Sequence, residues 1–456
     1  MDNDKTNSPE VGAAGSQTPD DVFVNHPSFG EAFRFWLKLG FISFGGPAGQ
    51  ISIMYQELVD KKRWVSNERF LNALNYCMLL PGPEAQQLAV YIGWLLHKIP
   101  GGIVAGLLFL LPSMFILFAL SYTYAALGDI SWIAALFGGL KAAVMAIVVT
   151  AVIKIGRKAL KNAVMVMLAA ASFVGIFFFK LPFPAIVLGA GLIGLIGSAV
   201  YPRFFLVIKE KEMGEYEKGY VRICENEDYC HIDPSKQRNA YLLMIFSGLW
   251  LLPMVMLYVW VPEPVFYREG LFFTKAAFLT FGGAYAVLAY IAQAGVGQFG
   301  WLTAPQMMDG LGLAETTPGP LIMVVQFVGF MAGWNFHGSF SPLAGGIIGS
   351  LVASYFTFLP CFLFIFLGGP YIEKFRGNKK LTGALSSITA AVVGVVLNLA
   401  VWFGMHVLLA DAAGFNWFAA VVGLGSFIAI QWGGVSIIAV ILFAGGLGMI
   451  NGIFLK

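Results

Sequence analysis

Two short motifs, Phe44-Gly45-Gly46 and Pro81-Gly82-Pro83, have the composition needed to present backbone donors to an anion. Gly-Gly lets a ligand approach the main chain with no side chain in the way. Pro-Gly-Pro ends the helix ahead of it and presets the first turn of the next. That next turn exposes free N–H groups and about half a positive charge, which suits an anion. Both motifs recur 237 residues later, as Phe281-Gly282-Gly283 and Pro318-Gly319-Pro320. Four breaks aimed at one point predict an anion site built on Gly45-Gly46, Gly82-Pro83, Gly282-Gly283 and Gly319-Pro320. Ser43, Thr280 and Thr317 offer hydroxyls and Gln50, Gln86 and Gln87 offer amides, each in competition with its own helix backbone. The plainer reading is packing glycines and kink prolines. Duplication at matched positions favours the site.

The charged residues nearby divide by role. Lys38 and Lys275 are equivalent positions, six residues ahead of the two phenylalanines, with Arg34 one turn before Lys38. They form an anion entrance or snorkel to the membrane surface. Glu84 directly follows Pro-Gly-Pro. At a helix N-terminus a carboxylate is favoured, yet ionised it repels an anion and protonated it donates a hydrogen bond. Glu84 is thus the first candidate for proton coupling, with Asp309 and Glu315 as second-half candidates. Cys224, Cys230 and His231 fit no common zinc spacing, so no metal and no cofactor are expected.

The elements that must position these residues follow from composition. The 456 residues are 58% hydrophobic and 12% charged, with 54 glycines, and the mean hydropathy is +0.76. A soluble domain carries roughly 25% charged residues, so too few polar groups remain to cover a water-exposed surface. The fold class read from this is an all-α polytopic membrane protein. Apolar runs near 99–127, 130–154, 163–180, 183–206, 239–261, 342–368, 381–409, 415–431 and 433–454 are long enough to span a bilayer. Regions 28–96 and 271–334 are interrupted by Gly and Pro, which suits broken or re-entrant helices lining a cavity. Residues 1–27 read as a disordered N-terminal tail. The division is then a first transport repeat at 28–206, a cytoplasmic polar loop at 207–238, a linking transmembrane helix at 239–261 and a second repeat at 271–456.

Self-similarity is the strongest signal. At the same offset of 237, Trp64 matches Trp301, Gln56 matches Gln293, and Ser66 matches Thr303. Basic residues concentrate at 154–161, 203–238 and 371–380, which places those loops inside, the N-terminus inside and the C-terminus outside. Lys61-Lys62-Arg63 ahead of Trp64 becomes uncharged Gln298-Phe299-Gly300 ahead of Trp301. An odd number of crossings between copies makes them inverted-topology repeats, with a site at their interface.

Phe44-Gly45-Gly46-Pro47-Ala48, Trp64 and Leu80-Pro81-Gly82-Pro83-Glu84-Ala85-Gln86 resemble the N-terminal signature of the chromate ion transporter (CHR) family. Phe281-Gly282-Gly283-Ala284-Tyr285, Trp301-Leu302-Thr303 and Thr317-Pro318-Gly319-Pro320 resemble its second-half signature. One departure is Ala284, where the family more commonly carries a further glycine. The resemblance covers both halves and implies the two-domain form, associated with chromate efflux and resistance across the bacterial plasma membrane. It also implies sulfate as a competing or exchanged oxyanion. The partners expected are chromate, sulfate and the lipid bilayer, with a homodimer left open and no nucleic acid. Another tetrahedral oxyanion is the nearest alternative. A lipid-phosphate phosphatase is disfavoured, because no Arg or His accompanies either Pro-Gly-Pro.

Overall fold

The computed structural model describes residues 26–128, 130–206, 234–281, 283–372, 379–409 and 414–454. Most of the expected tail and polar loop, Gly282, and Cys224, Cys230 and His231 lie outside the described residues. Every regular element among the described residues is helical, apart from one isolated bridge residue.

The first broken region consists of α1 (Phe29–Ile42), α2 (Gly46–Tyr55), α3 (Asn67–Leu79) and the start of α4 (Glu84–Leu127). α2 runs on into a π-helical turn at Gln56–Lys61. α4 is two helices joined at a sharp break, where His97 and Lys98 leave helical geometry. Three further helices follow: α5 (Ser131–Ala159), α6 (Ala163–Phe177) and α7 (Phe183–Val200), with Pro202–Phe205 forming a short α8. Pro182 and Pro202 mark the breaks, since proline cannot continue the preceding helical hydrogen bonding.

α9 (Lys236–Val259) links to the second half: α10 (Pro264–Leu279), α11 (Ala284–Ala292), α12 (Ala304–Thr316), α13 (Val324–Asn335) and α14 (Pro342–Gly368). The last three helices are α15 (Lys379–Leu408), α16 (Trp417–Gln431) and α17 (Ile437–Phe454). By length and composition six helices can cross a membrane: α4, α5, α7, α9, α15, and α14 with its extension to Tyr371. Four shorter apolar helices accompany them. This is a multi-pass, all-α membrane protein.

The 237-residue offset governs local structure as well as sequence. α12 is α3 displaced by that offset at both ends, and the π turn Gln293–Gln298 is likewise the counterpart of Gln56–Lys61. Ser66 caps α3 by accepting from the Arg69 N–H, and Thr303 caps α12 by accepting from the Gln306 N–H. The hydroxyl kept at this position satisfies an N-terminal donor that the helix itself cannot. Trp64 N–H donates to Leu58 O at 2.9 Å, and Trp301 N–H to Gly295 O at 2.7 Å, closing the two π turns alike.

The long helices are exchanged between halves. α5 packs on α16 and α17 of the second half, while α15 packs on α6 and α7 of the first. Small residues allow these approaches: a Cβ on Gly139 of α5 would collide with the Ala444 carbonyl of α17, and one on Gly194 of α7 with the Gly383 carbonyl of α15. Lipid removes the hydrophobic drive for helix pairing, so such backbone contact carries the association.

Candidate functional site

Residues of all four breaks come together in the fold. Gly82 N–H donates to Thr280 O at 2.8 Å, and Gly319 N–H donates to Ser43 O at 2.8 Å. Each is the other displaced by 237 residues, so the Pro-Gly-Pro turn of either half is fastened to the residue before Phe-Gly-Gly in the opposite half. Gly82 and Gly319 hold φ of 128° and 95°, in the region that favours glycine. Gln50 Nε2 reinforces one fastening, donating to Gly319 O and, at 3.3 Å, to Ser43 O.

A cavity of about 10 Å³ lies beside these bonds. Its wall takes Pro47 from the start of α2, Pro83, Glu84 and Ala85 from the start of α4, Gly283 and Ala284 from the start of α11, and Pro320, Leu321 and Ile322 ahead of α13. Four helix N-termini, two from each half, therefore border one space. Amides of a first helical turn lack intrahelical acceptors, so their positive ends share this space. The volume holds roughly one water.

Among the other residues singled out by sequence, Gly45 and Gly46 lead into Pro47, both at positive φ. The hydroxyls spend their protons on their own helices: Ser43 Oγ to Leu39 O at 2.6 Å, Thr280 Oγ1 to Ala276 O at 2.6 Å and Thr317 Oγ1 to Ala314 O at 2.9 Å. Gln86 is fully buried with neither amide atom hydrogen-bonded. Gln87 Nε2 donates to Pro81 O at 2.7 Å and braces the turn. Arg34, Lys38 and Lys275 are exposed on α1 and α10, away from the cavity lining.

The three carboxyls proposed for proton traffic sit in different settings. Glu84 borders the cavity. Glu315 accepts from the Tyr285 hydroxyl at 2.6 Å, tying α12 to α11. Asp309 is buried in α12, where Oδ2 meets Lys141 Nζ of α5 at 3.3 Å and the Tyr124 hydroxyl of α4 at 2.9 Å.

Sequence reading missed Lys141 and Tyr124, whose pairing with Asp309 spans far too much chain to be read locally. It also missed Ser113 and Cys361. Leu111-Pro112-Ser113 and Leu359-Pro360-Cys361 repeat at an offset of 248, and both side chains are buried. A Cβ on Gly319 would lie 2.8 Å from Ser113 Cβ, and one on Gly82 would lie 2.9 Å from Cys361 Sγ. The signal was present in the repeated Leu-Pro pair, but displaced by eleven residues from the 237 offset of the other motifs.

A family model described as chromate transporter matches residues 30–195 and 269–449, one segment over each set of breaks. The chain belongs to the chromate transporter family. The chromate transport protein of Pseudomonas aeruginosa is 32% identical over 377 residues, 81% of this chain and 79% of that protein. That of Cupriavidus metallidurans is 27% identical over 389 residues, 85% of this chain and 84% of that protein. A probable chromate transport protein of Synechococcus elongatus is 27% identical over 387 residues, covering 84% and 87%. No solved structure matches the chain. Membership makes this transporter-family chain a carrier of solute, with no enzymatic chemistry to assign to the central cluster.

Proposed function

We propose that this member of the chromate transporter family exports chromate, holding the oxyanion where the four helix N-termini meet. The observation that carries this reading is the cavity bordered by Pro47, Pro83, Gly283 and Pro320, the leading residues of helices from both halves. A dianion crossing hydrocarbon must exchange its water for other donors, since an unpaired buried ion costs many kcal/mol. Backbone amides at helix starts provide donors while leaving no fixed cation to trap the ion. Opposed orientation of the two repeats would bring these starts together from both sides of the membrane, the arrangement in which one site faces each side in turn.

The cavity has room for roughly one water, less than a tetrahedral oxyanion needs. Admission requires the two fastenings, Gly82 to Thr280 and Gly319 to Ser43, to part, freeing N–H donors for the ion. Outward movement is favoured electrically: a dianion leaving a negative-inside cell gains about 4.6 kcal/mol per 100 mV. Sulfate, of like shape and charge, competes.

Purified protein in liposomes loaded with chromate is expected to release it, and external or internal sulfate to slow the release. Absence of flux for both ions under any gradient would remove the transport reading. Gly82→Leu and Gly319→Leu are each expected to stop flux, measured per molecule of folded protein recovered; undiminished flux would move the site elsewhere.

A further inference from the structure

Glu269 lies in the middle of α10, fully buried, and neither carboxyl oxygen has a hydrogen-bond partner among the described residues. The surrounding elements supply no counter-charge. α11, α13 and α14 contain no Asp, Glu, Lys or Arg, and α9 contains only Lys236 and Arg238, in its first turn. On α10 itself Arg268 and Lys275 are exposed on other faces. The other titratable side chains on these helices are Tyr241, Tyr258, Tyr267, Tyr285, Tyr290, Tyr355 and Cys361, none of them a cation. A lone carboxylate is costly in such a place, so the site suits the neutral, protonated form of Glu269.

Its neighbours are arranged around that fact. Glu269 Oε1 lies 3.2 Å from where a Cβ on Gly349 would stand, and the same Cβ would strike the Gly329 carbonyl. The carboxyl therefore fills the notch where α13 and α14 cross at their glycines. The equivalent residue of the first half is Ala32, so the group exists once per molecule. Eleven residues on, about 16 Å along the helix axis, α10 is followed by its C-cap Thr280, whose carbonyl receives the Gly82 N–H.

We propose that Glu269 is a proton-binding site whose loading seats α10 in the α13–α14 notch and whose release unseats it. The proposal rests on the transport reading only for its consequence. An ionised Glu269 must recruit water or leave the notch, and the rigid helix transmits that movement to Thr280 and the fastening at Gly82. Proton loading thus favours the closed centre, and proton release favours admission of the oxyanion.

Glu269→Gln keeps the shape and hydrogen-bonding size of the loaded form without its titration. Liposome flux of wild type is expected to rise from acid to alkaline pH, and that of Glu269→Gln to stay at the acid-side level throughout. Glu84→Gln, assayed alongside, separates any contribution from the cavity carboxyl. An unchanged pH profile in Glu269→Gln overturns the proposal. Independently of transport, the infrared difference between wild type and Glu269→Gln is expected to contain the carbonyl band of one protonated carboxyl that disappears on alkaline titration. A band that is absent, or that persists at every pH, overturns the proton site. Should Glu269→Gln not accumulate, Glu269→Met is read the same way. Failure of wild type to carry any oxyanion would instead sink the transport reading and leave the infrared result standing.

Discussion

Gly319 and Gly82 do two jobs that no other residue type combines. Their positive φ allows the Pro-Gly-Pro turn, and their missing side chains admit Ser113 and Cys361. Gly319→Ala adds backbone strain of about 1–2 kcal/mol and a Cβ at 2.8 Å from Ser113 Cβ. Expected are a lower melting temperature in detergent and a large loss of flux. Pairing Gly319→Ala with Ser113→Gly is expected to recover part of the stability, because the collision goes while the φ strain stays. Asp309 and Lys141 form the other test at this scale. Removing one partner of a buried pair costs about 3–5 kcal/mol. Lys141 is 26% exposed, so water softens the loss, and Asp309→Asn alone is expected to destabilise more than Asp309→Asn with Lys141→Met. Additive losses in thermal melts would show that the two side chains do not interact.

At the scale of elements, the joints between helices carry the specificity. The α9–α10 connection is held by Glu263, whose Oε1 accepts from the Ser339 N–H at 2.7 Å and the Ser339 hydroxyl at 2.6 Å. The Ser339 hydroxyl first, and its N–H second, hold this loop carboxyl below the usual carboxylate range. A value lowered on folding contributes stability that is present above the unfolded value and lost as pH falls through the folded one. Glu263→Gln is therefore expected to melt earlier than wild type near neutral pH and to converge with it in strong acid. A difference that persisted unchanged into acid would mean that charge is not the origin. Gly338, at φ +57°, leaves room for Glu263 on the same joint, so the loop at 336–341 is shaped to receive this carboxylate.

Across the whole molecule, neither half is self-sufficient. α5 finds its neighbours in α16 and α17, and α15 in α6 and α7, while the two Pro-Gly-Pro turns donate only across halves. A chain divided within 207–233 and expressed as two pieces is expected to co-purify and retain flux. Either piece alone is expected to accumulate poorly, because its long helices would expose backbone-close glycine faces to lipid. Stable accumulation of one piece by itself would show that the exchange is not what holds the fold.

Several of these features were determined by sequence alone. Apolar length specified six of the nine expected spans, because the thickness of a bilayer leaves little freedom; the runs at 163–180, 415–431 and 433–454 became shorter apolar helices. Proline and glycine placed the breaks, since they act through the local backbone. The single-offset repeat exposed Ser66 and Thr303 as matched positions, and helix capping, a local interaction, explains why. Tertiary structure decided the rest. Whether the Ser43, Thr280 and Thr317 hydroxyls face a ligand or their own carbonyls depends on side-chain rotamers that sequence does not carry. That Gly82 and Gly319 amides are engaged across halves, that Asp309 meets Lys141, and that the Glu269 carboxyl has no hydrogen-bond partner among the described residues are outcomes of long-range packing. No local pattern encodes them, because the partners are brought together only when the two halves interlock.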